Sequence, residues 1–223
     1  MTAFNPGKPN VARIYDALRD GKDNFGPDRE AADAIRTMAA DGQRAAHDNR
    51  AFLARAVRSL IREQGIFQFL GHARAVLEDR LTSIALPGDL RHPQEFLDDP
   101  DLRGFIDFGC PVAVMLLAVL HFIEAPLAYE VMRAVMLEMP AGSCLVLSHA
   151  SADQATPDEI KIVNQIYDQA GTPIYLRTKD EITAFFERLQ ITVPGVADIN
   201  AWKNPAYRPA RTIGYGGTAR KTA

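Results

Sequence analysis

Apolar residues recur at helical spacing in the first third of the chain and become nearly continuous towards its middle. Over residues 44–64, apolar pairs return every four residues, which predicts a helix with one apolar stripe. Gly65 follows at a position where helices commonly end. Residues 111–120 are apolar at almost every position, as a strand buried on both faces of a parallel sheet must be. The pattern therefore predicts a helical N-terminal part followed by a buried sheet.

Shorter elements surround these two. Residues 13–18 predict a helical turn, and Asp28 has the character of a helix N-cap. The other elements predicted before residue 150 are strands over 66–70, 82–86 and 144–147 and helices over 72–80 and 127–139.

The last third of the chain contains two well-marked helix starts. Thr156 with Glu159, and Thr178 with Glu181, each have the spacing of a capping box. Strand-like segments are predicted at 174–176, 191–193 and 196–199. The tail from residue 205 is basic and rich in Pro and Gly, so we expect it to lie on the surface as an arm. Strands alternating with helices predict the α/β class: an open sheet with helices on both faces and an antiparallel edge.

Composition and charge narrow the function classes. The chain has 223 residues, 25 Lys and Arg against 28 Asp and Glu, and a net charge of −3, which gives no general attraction to nucleic acid or to an anionic membrane. Its two cysteines cannot form a thiolate zinc site or a disulfide framework, so we predict no metal and a reducing compartment. The N-terminus lacks an apolar signal segment, and the longest apolar run is too short for a bilayer. We therefore expect a cytoplasmic protein with neither nucleic acid nor membrane as a partner.

Common catalytic motifs are missing from the sequence. It has no HExxH, Walker A, paired CxxC or GxSxG pattern, and its five histidines show no ligand spacing, so a structural role is the favoured interpretation of each. Residues 214–219 formally fit GxGxxA, but they have no predicted strand before them and no helix after them. We reject them as a dinucleotide loop, and a solvated arm is favoured over an RNA contact for the basic tail.

Two segments have positions where α/β proteins bind ligands. Asp89 follows a predicted strand, where its carboxylate can accept a hydrogen bond from an adenine amino group or a ribose hydroxyl. A simple turn aspartate is an equally good interpretation of that residue. Residues 118–122 follow the central strand and reach the same edge of the sheet, although the end of a buried strand is the favoured interpretation there.

Several segments occur in an order that resembles a known family. They are RIYD at 13–16, GKDNF at 21–25, DREAA at 28–32, NRAFL at 49–53, AVLHF at 118–122, LSHA at 147–150, and YGG with RK at 215–217 and 220–221. Together they resemble an actinobacterial family of S-adenosylmethionine-dependent methyltransferases that was once classed as a domain of unknown function. The resemblance covers nearly the whole chain.

The resemblance implies a class I, Rossmann-like methyltransferase sheet with an antiparallel last strand and an N-terminal helical extension. It implies three parts within one domain: a lid and helical extension at 1–64, the core at 65–204 and a C-terminal arm at 205–223. The cofactor would be S-adenosylmethionine, released as S-adenosylhomocysteine, and the acceptor a small molecule. The in-line transfer would depend on positioning and desolvation, so no acid or base is assigned a catalytic role.

The resemblance also implies which residues border the cofactor. Those of the lid would be Tyr15, Gly21, Lys22 and Asn24. Asp89 and Leu90 would lie beside the adenine, and Ala118, Val119 and His121 would line the pocket near the methionine part.

The chain departs from this family after Leu70. The first strand should lead into an acidic Gly-rich loop, a helix and a second strand, but residues 72–77 already resemble the helix that follows that second strand. One β-α-β step, about 30 residues, is therefore missing. The deletion is real, or it is an artefact in the gene, or the numbering closes over an unseen segment. Only the last alternative predicts that Leu70 and Gly71 are not bonded to each other.

Two functions follow from these alternatives. The first is a methyltransferase acting on a small molecule. The second is a non-catalytic, degenerate relative that binds a ligand or forms a homodimer, because the missing loop is the one expected to hold the methionine end of the cofactor.

Overall fold

A mixed sheet lies at the centre of the protein in a computed structural model, which describes residues 5–38, 41–71, 86, 88–208 and 210–222. Its strands in these ranges are β1 Gln68–Gly71, β2 Val112–Leu117, β3 Cys144–Ala150, β4 Gln190–Ile191, β5 Ala197–Asp198 and β6 Gly214–Arg220. The order across the sheet is β1-β2-β3-β6-β4, and β5 also pairs with β6. The first three strands are parallel, and β6 runs antiparallel to β3, β4 and β5.

Helices cover both faces of this sheet. In the described ranges they are α1 Val11–Leu18, α2 Gly26–Met38, α3 Gly42–Gln64, α4 Pro93–Leu97, α5 Pro100–Phe105, α6 Ala125–Glu138, α7 Pro157–Gln169 and α8 Lys179–Ala184, with a 3-10 helix at Leu120–Phe122. None of the described helices has the length and apolar character needed to cross a membrane.

The burial of the central strand β2 explains why the sequence is apolar at almost every position there. All six of its residues are buried. Val114 and its neighbours two positions away pack with α4, α5, α6 and α8 on one face. Met115 and the other alternate residues pack with α3 and Trp202 on the opposite face. Because successive side chains point to opposite faces, burial on both sides requires a continuous apolar sequence.

The predicted helix boundaries are largely confirmed. Thr156 and Thr178 each accept a hydrogen bond from the backbone N–H of the glutamate three residues later, and each glutamate accepts one in return. Gly65 has a φ of 67° and ends α3 by donating its N–H to the carbonyl of Leu60. That left-handed conformation suits glycine because it lacks a Cβ atom.

The predicted N-cap at Asp28 is wrong. Helix α2 begins two residues earlier, because Pro27 needs no hydrogen-bond acceptor in a first turn. Asp28 is buried within that turn, and its carboxylate accepts hydrogen bonds from the N–H groups of Phe25 and Asn10 and from Arg13 Nε at 2.7 Å. It therefore joins the starts of α1 and α2.

The prediction of a surface arm is wrong for the end of the tail, because β6 lies inside the sheet between β3 and β4. Its glycines are places of close approach. A Cβ atom at Gly214 would lie 2.7 Å from the carbonyl oxygen of His149, and one at Gly216 would lie 2.8 Å from the Phe52 ring. The glycines of β6 are thus explained by close packing within the sheet, although a segment so rich in glycine suggests a loop.

Three shorter predictions have different outcomes. The strands predicted at 191–193 and 196–199 are present as β4 and β5, each two residues long. The predicted strand at 174–176 is wrong, since the structure has only an isolated bridge from Ser151 to Arg177 there. The helix predicted at 72–80 and most of the strand at 82–86 lie outside the described residues.

The first strand continues through the point where the sequence departs from its family. Leu70 pairs with Val114 and Gly71 with Met115, so the register advances by one residue across this peptide bond. The backbone is continuous from Leu70 to Gly71, and β1 ends at Gly71.

Candidate functional site

A cavity of about 520 Å³ opens at the edge of the sheet where the parallel strands β2 and β3 end. Residues 117–119 and 148–151 form its floor, helices α1 and α3 cover it, and α7 with residues 211–214 closes one side. Open α/β sheets bind ligands at this carboxyl edge.

The floor is shaped by a sharp turn after β2. Ala118 has a φ of 52°, and its N–H lies 3.0 Å from the carbonyl oxygen and 3.1 Å from the hydroxyl oxygen of Ser148 on β3. These bonds fix the end of β2 against β3. A left-handed residue with a small side chain leaves the floor open at this point.

A chain of hydrogen bonds connects the covering helices to this floor. The Ser148 hydroxyl donates to Asn49 Oδ1 at 2.5 Å, and Asn49 Nδ2 donates to the Tyr15 hydroxyl at 3.0 Å. Tyr15 in turn donates to the carbonyl of Ala46 at 3.1 Å. Burial raises the pKa of Tyr15 despite the hydrogen bond from Asn49, so this phenol stays neutral. The chain sets the position of α1 and α3 over the end of the sheet.

A second buried network holds the turns beside the cavity. Arg177 Nη1 lies 2.6 Å from His149 Nε2, and the guanidinium also donates to the carbonyls of Leu120 and Ile123. His149 Nδ1 lies 2.7 Å from the carbonyl oxygen of Ala150, so this nitrogen carries the proton and Nε2 accepts. Burial is the main reason that the pKa of His149 falls to about 4. His149 is therefore a neutral, fully bonded ring and has no nitrogen available as a base.

The remaining lining is mostly apolar or aromatic. The ring of His121 stands at right angles to that of His149, and its Nδ1 lies 3.4 Å from the N–H of Ala150. Burial raises the pKa of Tyr167 to about 12, which keeps its phenol protonated. Aliphatic lining side chains include Leu53, Ile160, Val163, Ile174 and Leu176. In the described part of the chain, no group of three metal-ligating side chains is found.

The structure brings together four of the nine residues assigned to the cofactor. Tyr15, Ala118, Val119 and His121 all line the cavity. The other five, Gly21, Lys22, Asn24, Asp89 and Leu90, are not among its lining residues.

The lid residues instead build their own turn around Asp16. The Asp16 carboxylate accepts hydrogen bonds from the N–H of Asp23 at 2.9 Å and from Asn24 Nδ2 at 2.8 Å. A Cβ atom at Gly21 would lie 2.0 Å from that carboxylate, so any other residue there would displace the Asp16 side chain. The GKDN segment is thus a folded turn with internal contacts.

Asp89 is occupied by its neighbour Arg91. The guanidinium and the backbone N–H of Arg91 donate to its carboxylate at 2.5 to 3.0 Å, and these bonds lower the pKa of Asp89 to about 2. The side chain of Leu90 is half-buried against the core. The structure therefore gives Asp89 the features of a turn aspartate paired with an arginine.

Sequence reasoning missed the residues that organise the cavity. Asn49 and Ser148 lie 99 positions apart, and each sits within a segment quoted for the family resemblance. A polar residue on the apolar stripe of α3 was the available signal for Asn49. Arg177 has no such signal, because nothing in its local sequence distinguishes a buried guanidinium from an exposed one.

Comparisons with known proteins agree with this architecture. A sequence model of the S-adenosyl methyltransferase family matches residues 2–72 and 69–222, so the two matched segments meet near the end of β1. A DUF574 family protein from Streptomyces avermitilis has 28% sequence identity and a TM-score of 0.89, with 97% of this chain and 98% of that chain covered. A candidate methyltransferase from Thermobifida fusca has 29% identity and a TM-score of 0.86, covering 97% and 96%. No curated protein resembles the chain closely enough to count as a match.

Three observations lead to one assignment. They are the sheet order with its antiparallel β6, the cavity at the strand ends and the match over nearly the whole sequence. The chain belongs to the S-adenosyl methyltransferase family and has its Rossmann-like fold, and its cofactor is S-adenosylmethionine.

Proposed function

We propose that the protein transfers a methyl group from S-adenosylmethionine to a small, largely apolar molecule bound in the cavity beneath α1 and α3. The observation that carries this proposal is the cavity itself. Its volume of about 520 Å³ is in the range of small-molecule sites, and its lining is mainly apolar with a few buried polar groups.

The residues at the end of β2 fit the methyl-bearing end of the cofactor. Ala118 and Val119 offer small side chains beside a backbone turn, and Tyr15 and His121 add aromatic surface. On the ribose side the fit is poorer, because Asp89 already accepts three hydrogen-bond donors of Arg91 and lies outside the cavity. When bound, the cofactor supplies an electrophilic methyl group on a sulfonium.

The chain's own contribution is to position the acceptor and exclude water. Helices α1 and α3 cover the cavity, and the bonds from Tyr15 through Asn49 to Ser148 hold this cover in place. Methyl transfer is accelerated by alignment of the reacting atoms and by removal of water from the nucleophile. Both ring nitrogens of His149 are engaged in hydrogen bonds, so its role is to hold the shape of the site, and we assign it no proton transfer.

A titration of S-adenosylhomocysteine into the purified protein tests the cofactor part of this proposal. We expect saturable heat of binding, lost in A118F, because a large side chain at the floor fills the space. L137S is the matched control, since Leu137 is exposed on α6 and does not line the cavity. Unfolding curves of both variants verify that they fold. Binding that survives A118F contradicts the proposed position.

A non-catalytic relative is the second candidate, and one observation favours it. The two segments matched by the family model meet at residues 69–72, where the sequence lacks the loop expected to hold the methionine end of the cofactor. A folded protein that binds no S-adenosylhomocysteine at millimolar concentration supports this candidate, with ligand binding or dimerisation as its activity.

A further inference from the structure

The charged side chains that line the cavity are unequally paired. Three are basic and three acidic: Arg19, Arg50, Arg211, Asp16, Asp41 and Glu159. The acidic groups are all occupied. Asp16 holds the lid turn, Asp41 accepts from Arg44 at 2.9 Å, and Glu159 forms a bidentate pair with Arg211 at 2.6 and 2.9 Å.

Arg19 at the end of α1 is different. Within the described part of the chain, its guanidinium forms no hydrogen bond or ion pair, and its Nε–H is buried without an acceptor. The adjacent Asp20 is engaged elsewhere, since it accepts from Arg36 Nη2 at 3.0 Å. A buried donor on a permanent cation is costly unless something binds it.

Another donor lines the cavity beside Arg19. The phenol of Tyr167 is part of the lining and stays protonated, so it can donate. Since the acidic groups of the lining are occupied, the Arg19 guanidinium is complementary to an anion supplied by a ligand, and planar guanidinium groups suit carboxylates.

We propose that the methyl acceptor is an apolar molecule bearing a carboxylate, and that Arg19 binds this carboxylate. The inference rests on the proposed function, and it makes Arg19 a specificity-determining residue of the same cavity. The apolar walls hold the body of the acceptor, while Arg19 selects the acid over its neutral analogue.

The methionine part of the cofactor also carries a carboxylate, so the test must separate two sources of the same chemistry. We assign Arg19 to the acceptor, because this C-cap residue of α1 is remote in sequence from Ala118, Val119 and His121, which follow β2 and fit the methyl-bearing end of the cofactor. Competition with S-adenosylhomocysteine distinguishes the two.

The experiment compares two probes of one shape by calorimetry, 2-naphthoate and 2-naphthamide, on the full chain without cofactor. We expect naphthoate to bind about tenfold more tightly than the amide, as one charge-assisted hydrogen bond provides. R19Q should remove this preference, and R19K should restore part of it. R58Q is the control for net charge, because Arg58 is exposed on α3 and does not line the cavity.

Four outcomes overturn the proposal. Equal affinity of the two probes, or no binding of either, contradicts an anion site. Equal loss of both probes in R19Q indicates a structural role for Arg19. Displacement of naphthoate by S-adenosylhomocysteine assigns the carboxylate position to the cofactor. Because these measurements need no methyl transfer, they can fail while the S-adenosylhomocysteine titration succeeds, and the reverse is also true.

Discussion

At the scale of single residues, the site depends on polar side chains that are buried and bonded. Asn49 is the clearest case, because it joins a helix that covers the cavity to the strand that forms its floor. Removing one partner from such a network leaves the others without a hydrogen bond that they make in the folded protein, in a largely buried place.

We expect N49L to lower the free energy of unfolding by about 1 to 3 kcal/mol, since the Ser148 and Tyr15 hydroxyls lose their partner. Urea denaturation measures this change. Q169L makes the same kind of substitution on the exposed face of α7 and should change stability by less than about 0.5 kcal/mol. Similar values for the two variants contradict the role given to Asn49.

His149 makes a prediction about pH. Burial holds its pKa at about 4 in the folded protein, below the ordinary 6.5, and Arg177 opposes protonation while Glu181 weakly favours it. The unfolded chain therefore binds more protons between these values, and stability falls as the pH drops from 6.5 to 4. The loss amounts to about 3 kcal/mol at 1.36 kcal/mol per pKa unit.

Urea denaturation of wild type and H149Q from pH 7 to pH 4 tests this dependence. Glutamine keeps an acceptor for Arg177 and does not titrate, so H149Q should show a clearly smaller slope above pH 4.5. H92Q replaces an exposed histidine and should follow the wild type. Parallel slopes for wild type and H149Q contradict the assignment.

At the scale of elements, the sequence predicted those features that depend on residues close together in the chain. The spacing of nearby residues was enough to predict helix α3, strand β2 and the capping boxes at Thr156 and Thr178. Strand β6 was not, because its glycines are required by the neighbouring His149 backbone and the Phe52 ring, which are distant in sequence. The link from Asn49 to Ser148 escaped prediction for the same reason.

The glycines of β6 provide a test at this scale. We expect G214A to destabilise the protein by about 1 to 3 kcal/mol, because the new methyl group meets the His149 carbonyl at 2.7 Å and backbone must shift. G104A is the matched control, since a Cβ atom there meets nothing within 4 Å and alanine favours the helix α5. Thermal denaturation of G214A and G104A measures the change in melting temperature of each variant. A fall in melting temperature for both variants, or for neither, contradicts the packing role of Gly214.

At the scale of the whole molecule, the length of the chain bears on its affinity for the cofactor. β1 continues without a break into Gly71, and the family match divides at that point. We expect an intact mass of 24.5 kDa by mass spectrometry, which shows that the short chain is the protein itself. A larger mass contradicts a true deletion.

A second measurement at this scale compares S-adenosylhomocysteine affinity with that of a family member whose sequence contains the acidic Gly-rich loop after the first strand. We expect binding at least about tenfold weaker here, because each charge-assisted hydrogen bond lost with the loop is worth about 1.5 kcal/mol or more. Equal dissociation constants in parallel titrations mean that other residues do the work of the missing loop.

The position of β6 also has a consequence for synthesis. Within the described residues, β4 and β5 pair only with β6, and β6 occupies the whole length of the free edge of β3. Since β6 comes after β3, β4 and β5 in the chain, a nascent chain has an open edge on β3 until residues 214–220 have left the ribosome. We expect a chain that is cut before residue 214 to expose this apolar strand edge and to become a substrate for chaperones and proteases.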